Sequence, residues 1–409
     1  MNIEQQVAYL MRGVEYGDPI TYQSMAKELR ERLLESEKTG CPLRVYCGYD
    51  PRTSDLHIGH TVTMRKLRQF QELGHHVIFV IGTFTALIGD PSDKDKLRTQ
   101  LSPEEARRNA ESYAEQAFRI LDRDSTEIRF NDEWLSKLTF AELIRLASNF
   151  TIQQFMTRLN FRQRWQKDEA VYFHEFFYAL MQGYDAYALD ADVQVGGTDQ
   201  MFNIMTAARK IMTYYDKKPN VGIILGILPG TDGEVKMSKS LGNHIPLNTS
   251  PEDMFGKVMS VPDNAMSSYA RLVTRWSVEK IRQFEEGVTN GKVAPMEAKK
   301  DLAHEITAAF YSEQQADDAK KHFQTVIQQG STPEEIPEFP VDKEVILMDA
   351  LRESKTVTSG SEVRRLVKQG GIKVNDVKVS DPYLSIEPGA IIKVGKRRFL
   401  RIVNKNQEN

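Results

Sequence analysis

The tightest constraint on this chain is the run Val77-Ile78-Phe79-Val80-Ile81, which offers no polar face. A strand of that kind is covered on both sides, as strands of a parallel sheet are. Leu43–Tyr49 is a second strand-like run, and Asp50-Pro51-Arg52 turns the chain after it. Thr53 or Ser54 is placed to cap a helix running to about Leu73, where Gly74 ends it. Strand, helix and strand in this order predict a βαβ unit.

Helical periodicity follows over 103–121, 139–150 and 174–189, and strand-like runs over 193–195 and 221–228. The first 39 residues read as helical and polar. Alternation of this kind predicts an α/β fold with a Rossmann-like doubly wound parallel sheet. After Pro251 the pattern is helical to about Gln328, and GSTPEEIPEFP over 330–340 reads as a linker. The expected organisation is a catalytic domain over 1–245, a helical domain over 246–329, a linker over 330–343 and a small α+β domain over 344–409.

Of the 409 residues only Cys41 and Cys47 are cysteines, which excludes a disulfide framework or a cysteine zinc site. With a polar start and no long apolar run, a cytoplasmic setting is expected, with no membrane association. The net charge is −3, but the stretch from Val341 onward carries 14 Lys+Arg against 9 Asp+Glu. A basic module on an acidic body suits a polyanionic partner, although a solvated basic surface would look the same.

Two segments carry chemistry. His57-Ile58-Gly59-His60 follows the first strand, where unpaired N–H groups and two imidazoles can meet phosphate or ribose oxygens, and Gly59 permits a close approach. Lys236-Met237-Ser238-Lys239-Ser240 follows the last strand and the turn Pro229–Gly233. Its lysines and hydroxyls suit a triphosphate. Each alone is matched by a bland alternative, a helix start that contains histidine and an exposed basic loop. Together, in these positions, they resemble the HIGH and KMSKS motifs of the class I aminoacyl-tRNA synthetases.

A third segment narrows the resemblance. Tyr178, Gln182 and Asp185 share one face of an otherwise apolar helix, and Gly196-Gly197-Thr198-Asp199-Gln200 follows a strand. With Tyr46–Pro51 and Gly89-Asp90-Pro91-Ser92, these residues are similar to the tyrosine-specific members of that class over essentially the whole chain. The resemblance implies that Tyr46 and Asp185 receive the substrate phenol, and that Asp90, Tyr178 and Gln182 hold its ammonium. It places Gln200 near the carboxylate, Asp199 on the ribose and Asp50 by the nucleotide. His57, His60 and Gly59 would hold ATP from one side, with Lys236, Lys239 and Ser240 closing from the other. An ionised Asp185 at the pocket floor would reject phenylalanine, which leaves it unpaired. Arg52 stands where threonine is common, and Asp93 where glycine is, so Lys94 and Arg98 are expected phosphate contacts that offset the extra carboxylate.

The stretch Ser359–Val374 resembles the small RNA-binding fold first seen in a small-subunit ribosomal protein, with Arg364, Arg365 and Lys368 towards RNA phosphates. The implied reaction joins tyrosine to ATP as tyrosyl-adenylate and then charges tRNA(Tyr). Magnesium would travel on the triphosphate without a protein cage. A homodimer is implied, and Phe150–Trp165 is an apolar-aromatic stretch suited to its interface. Competing readings are a tryptophanyl enzyme, another adenylyl transferase and a non-catalytic RNA-binding regulator.

Overall fold

The computed structural model describes residues 1–51, 56–91, 103–328, 336–357, 359–375, 377–395 and 398–405. Lys94, Arg98, Arg52, Thr53, Ser54 and Asp93 lie outside the described residues. Contacts divide the chain into two compact units, Met1–Gln315 and Ala316–Asn409. The division expected at 245/246 falls inside the first unit.

The first unit is built on β1 (Arg44–Tyr49), β2 (His76–Ile81), β3 (Thr126–Phe130), β4 (Val193–Gly197) and β5 (Val221–Leu225). They form one sheet in the order β3-β2-β1-β4-β5, and every neighbouring pair is parallel. Five of the six residues of β2 and all five of β5 are buried, as their unbroken apolar character requires. The strand order reverses between β1 and β4, which opens a crevice at their carboxyl ends. β3 escapes the sequence reading because it is a charged edge. Its Glu127 accepts from His76 Nε2 at 2.6 Å and from Arg129 at 3.1 Å, the kind of polar edge that discourages further strand pairing.

Three local expectations need correction. The first 39 residues form two helices, Ile3–Leu10 and Pro19–Thr39. They are separated where Gly13 and Gly17 take positive φ, and the second starts at Asp18, whose carboxylate accepts the Thr21 N–H at 2.8 Å. The helix after β1 begins at Thr61, not near Thr53, and runs to Glu72. The reason is that Leu56–Ile58 is already paired elsewhere: the Ile58 N–H donates to Ile245 O at 3.0 Å and the Leu247 N–H to Leu56 O at 2.9 Å. Finally, Glu338–Val341, inside the stretch read as linker, is a strand.

Between β3 and β4 the helix His174–Ala188 packs on a π-helix, Phe202–Ala208, that continues as the α-helix Arg209–Tyr214. Gly183 permits this approach, since a Cβ there would stand 2.8 Å from Ile211 Cδ1 and 3.0 Å from the Ala207 carbonyl carbon. Beyond β5 the helices are Pro251–Met259, Met266–Val273, Val278–Thr289, Pro295–Phe310 and Glu313–His322. Ser250 and Ser277 cap two of them through their hydroxyls.

In the second unit β6 (Glu338–Val341), β7 (Val345–Ile346), β8 (Ile372–Val374), β9 (Val377–Lys378), β10 (Ser385–Ile386), β11 (Ile391–Val394) and β12 (Arg398–Asn404) surround the helices Leu347–Glu353 and Gly360–Lys368. The larger sheet has the order β6-β12-β11-β8-β9. β6 pairs parallel to β12, while the other pairs in that sheet are antiparallel. Leu347, Leu351, Val363, Ile372, Ile392 and Ile402 form the centre of its core.

Candidate active site

The site gathers where the topology puts it, around the carboxyl ends of β1, β2, β4 and β5. Tyr46 lies in β1 and is fully buried, and its hydroxyl donates to the Gln182 carbonyl at 3.4 Å. Asp185 reaches the same place from the helix His174–Ala188 and is 3% exposed. Trp134 Nε1 donates to its Oδ1 at 2.8 Å, and Asn131 Nδ2 to its Oδ2 at 3.4 Å. Burial pushes the Asp185 carboxyl up to about 8, overcoming the opposite pull of those donors, and the nearby Asp50 adds to the rise. That rise favours the protonated acid, where the sequence reading expects an ionised carboxylate. Selectivity survives the change, because a buried carboxylic acid still needs a polar partner that a phenyl ring cannot supply.

Next to this floor lies a set of polar links. Tyr178 donates to Asp50 Oδ2 at 3.0 Å, and Thr85 to Asp50 Oδ1 at 2.7 Å. Gln200 Nε2 donates to Asp90 Oδ2 at 2.5 Å. Asn203 Nδ2 reaches both Gln182 Oε1 at 2.8 Å and Gln200 Oε1 at 3.0 Å. Asp50 is thus held by Tyr178, which the sequence reading assigned to the ammonium with Asp90. Burial carries the Tyr178 phenol well above its usual range, with Asp50 and Asp90 reinforcing it. Gly82 is required here, because a Cβ would stand 2.2 Å from Asp50 Oδ1.

At the opposite end, the His57 and His60 rings lie against each other, centroids 3.8 Å apart and planes tilted by 36°. The His57 N–H donates to His60 Nδ1 at 3.2 Å, which leaves Nε2 to carry the proton of a neutral His60. Burial, with His60, His244 and the two motif lysines, drives the His57 imidazole down to about 2. His57 is consequently a neutral partner, and its buried Nδ1 has no hydrogen-bond partner among the described residues. A Cβ on Gly59 would lie 3.0 Å from the His57 ring and 3.5 Å from Met237 Cβ. The crowding is against the His57 ring, while Met237 of the second motif stands at ordinary contact distance.

The loop carrying the second motif is anchored by Asn243. Its Oδ1 accepts the Ser238 N–H at 2.8 Å, and its Nδ2 donates to Asp232 Oδ2 at 2.5 Å. Met237 is buried, while Lys239 and Ser240 are exposed and Ser240 Oγ lies 2.9 Å from Ser238 Oγ. Lys236, with its side chain 42% exposed, pairs with Asp199 at 2.8 Å. A ribose on Asp199 and a phosphate on Lys236 would each replace that contact.

The structure thus brings together Tyr46, Asp50, Asp90, Tyr178, Gln182, Asp185, Asp199 and Gln200 with His57, Gly59, His60, Lys236, Lys239 and Ser240. Arg364, Arg365 and Lys368 belong to the second unit, exposed on the helix Gly360–Lys368, and Arg364 donates to the Tyr383 hydroxyl at 3.4 Å. Sequence reasoning missed Thr85, Asn131, Trp134, Arg158 and Asn203. Only Asn131-Asp132-Glu133-Trp134 had a usable signal, a polar turn following β3, and β3 itself went unread. Among the described residues no group of three or more His, Cys, Asp or Glu side chains is placed to hold a metal ion. Nor is any helix there long and apolar enough to cross a membrane.

Comparison with known proteins agrees with this geometry. The family profile described as tRNA synthetases class I (W and Y) matches residues 38–328, and that of the S4 domain residues 347–392. The tyrosine–tRNA ligase of Carboxydothermus hydrogenoformans is 44% identical over 410 aligned positions, covering 98% of both chains. That of Geobacter sulfurreducens is also 44% identical, over 98% of this chain and 99% of its own. Among solved structures, tyrosyl-tRNA synthetase of Archaeoglobus fulgidus complexed with L-tyrosine superposes with a TM-score of 0.59 at 22% identity, over 78% of this chain and 100% of that one. The Plasmodium falciparum tryptophanyl-tRNA synthetase gives 0.52 at 16% identity, over 71% and 80%. The last two comparisons speak to the fold. With a parallel sheet whose crevice carries both motifs and a profile spanning most of its length, the chain belongs to the class I tRNA synthetases of the W and Y group and carries an S4 domain.

Proposed function

We propose that this chain is an ATP-dependent tyrosine–tRNA ligase, a reading carried by the buried carboxyl of Asp185 with Trp134 and Asn131 fixed on its two oxygens. The phenol of tyrosine enters between Asp185 and Tyr46, and Asp90 with Gln182 receives its ammonium. The tyrosine carboxylate, already ionised at neutral pH, attacks the α-phosphorus of ATP. The P–O bond to the β-phosphate breaks and pyrophosphate leaves with the electron pair. No general base is needed, so catalysis is positioning and charge stabilisation. Neutral His57 and the neighbouring His60 donate to the nucleotide, while Lys236 and Lys239 bring cationic charge. Lys94 and Arg98 add to it. Mg²⁺ enters as part of the nucleotide substrate. A terminal ribose hydroxyl of tRNA(Tyr) then attacks the tyrosyl carbonyl, forming the ester as the bond from the carbonyl carbon to the phosphate oxygen breaks and AMP leaves with the electron pair.

Arg364, Arg365 and Lys368 meet tRNA phosphates through the S4 domain, and the helices beyond residue 246 take the anticodon side. A second copy of the chain pairs through the apolar-aromatic stretch Phe150–Trp165, where Ile152, Leu159 and Trp165 are 65%, 58% and 70% exposed. The work is done in the cytoplasm, where tRNA is charged.

The test is ATP–pyrophosphate exchange with each of the twenty amino acids and Mg²⁺, without tRNA. Exchange with tyrosine alone is the expected outcome. Exchange with tryptophan would overturn the reading of Asp185, and exchange with none would overturn the tRNA-independent first step. A chain cut before the S4 domain is expected to keep the exchange and lose tRNA charging.

A further inference from the structure

The buried cation beside Asp90 has no part in the assignments above. Arg158 sits at the start of the helix Leu159–Gln166 with only 5% of its side chain exposed. Its guanidinium lies over two aromatic faces, 4.7 Å from the Phe161 centroid and 5.6 Å from that of Phe202. From there Nη2 stands 4.0 Å from Asp90 Oδ1, while the other Asp90 oxygen accepts from Gln200 at 2.5 Å. Two residues further on, Asn160 Nδ2 donates to the Pro91 carbonyl at 2.6 Å. One short segment therefore holds both the side chain of Asp90 and the backbone just after it.

We propose that Arg158 is a positioning residue for amino acid recognition, fixing the Asp90 carboxylate to receive the substrate ammonium, and that Asn160 braces the same loop. The inference rests on the reading of Asp90 as the ammonium ligand. Taking a guanidinium out of water is expensive, and Asp90, with Glu175 and Asp199 further off, opposes that cost. The two ring faces supply more, and a planar guanidinium suits them where an ammonium does not. With one Asp90 oxygen tied to Gln200 and the other beside Arg158, the carboxylate cannot rotate away when an ammonium approaches. Asp90, Phe161 and Phe202 flank the Arg158 guanidinium, so its effect should fall on the ammonium end.

The decisive probe is a pair of ligands, L-tyrosine and 3-(4-hydroxyphenyl)propanoate, which lacks the ammonium. Their binding to the full-length chain is measured by titration calorimetry, the second also as an inhibitor of exchange. Arg158→Met is expected to weaken tyrosine about 10-fold and leave the propanoate within about 2-fold, as loss of an oriented ionic contact predicts. KM for tyrosine should rise more than kcat falls, with KM for ATP unchanged, and Arg158→Lys should recover part of the loss. Asn160→Ala, at a half-exposed position, should give a smaller loss of about 3-fold with the same selectivity. It also keeps the proposal testable if Arg158→Met does not fold. Equal weakening of both ligands would mean that the segment merely holds the fold, and unchanged tyrosine binding would mean that it orients nothing. Either result overturns the proposal. Asp90→Asn separates the two readings. If it leaves the ratio of the two affinities unchanged, Asp90 is not the ammonium ligand. If it collapses the ratio while Arg158→Met and Asn160→Ala do not, only the positioning role fails.

Discussion

Tyr46, Asp185, Asn131 and Trp134 meet at the end of the crevice proposed for the phenol, hydrogen-bonded and, Trp134 apart, buried. Lys236, Lys239 and Ser240, at the end proposed for the phosphates, are exposed, and Lys236 pairs with Asp199. The difference follows from what each end must do. Telling a phenol from a phenyl ring requires donors and acceptors that cannot move to suit the wrong ligand, so they are locked by packing. Pyrophosphate departure requires charge delivered as the bond breaks, and side chains engaged too early would bind the ground state equally well.

Four measurements test how independent the two ends are. The largest effect is expected for Lys239→Ala, which should slow single-turnover adenylate formation on the order of 100-fold with tyrosine affinity unchanged. An equal loss in tyrosine binding would break the comparison. Second, the raised Asp185 value makes stability depend on pH. The folded chain keeps a proton that the unfolded chain gives up between the ordinary 3.8 and about 8, so stability present at low pH is lost as pH rises through that window. Asp185→Asn should flatten the dependence, narrowing the pH 5 to pH 8 difference in ligand-free unfolding by about 1–3 kcal/mol. Third, Trp134→Phe removes one donor from Asp185 and should weaken tyrosine about 10-fold, with KM for ATP unaltered. The smallest effect sharpens the phosphate end: the His57 ring should show no protonation between pH 5 and pH 8 in nitrogen NMR, and titration there would return a positive charge to that histidine.

The two ends were also unequally legible in the sequence. The phosphate end is written in contiguous motifs, so His57, His60, Lys236 and Lys239 could be named at sight. Tyr178, Gln182 and Asp185 were readable because a polar stripe on an apolar helix needs an explanation. Trp134, Asn131, Arg158 and Asn203 were not, because each arrives from a separate segment and only tertiary packing brings it to the site. The same contrast holds in the fold. β2 and β5 announce themselves as apolar runs, whereas β3 hides behind the charges of a sheet edge. β6 contains Pro340 and follows a proline-rich stretch, and it becomes a strand only because β12 lies beside it. The start of the helix at Thr61 was set by the pairing of Leu56 and Ile58 with a segment almost 190 positions later.

That long-range pairing has a consequence for how the protein is made. β1 joins β4 through Val45 and Val193, so the strand carrying Tyr46 waits for most of the catalytic unit to be synthesised. At about 5–20 residues per second the ribosome needs roughly 7 to 30 seconds to supply β4. Through that interval β3, β2 and β1 can pair while the inner edge of β1 stays open, with Val45 and Tyr46 on it. An open apolar edge invites pairing with another chain. The nascent protein is therefore most vulnerable to aggregation, and most in need of a chaperone, just before the crevice that defines its chemistry exists.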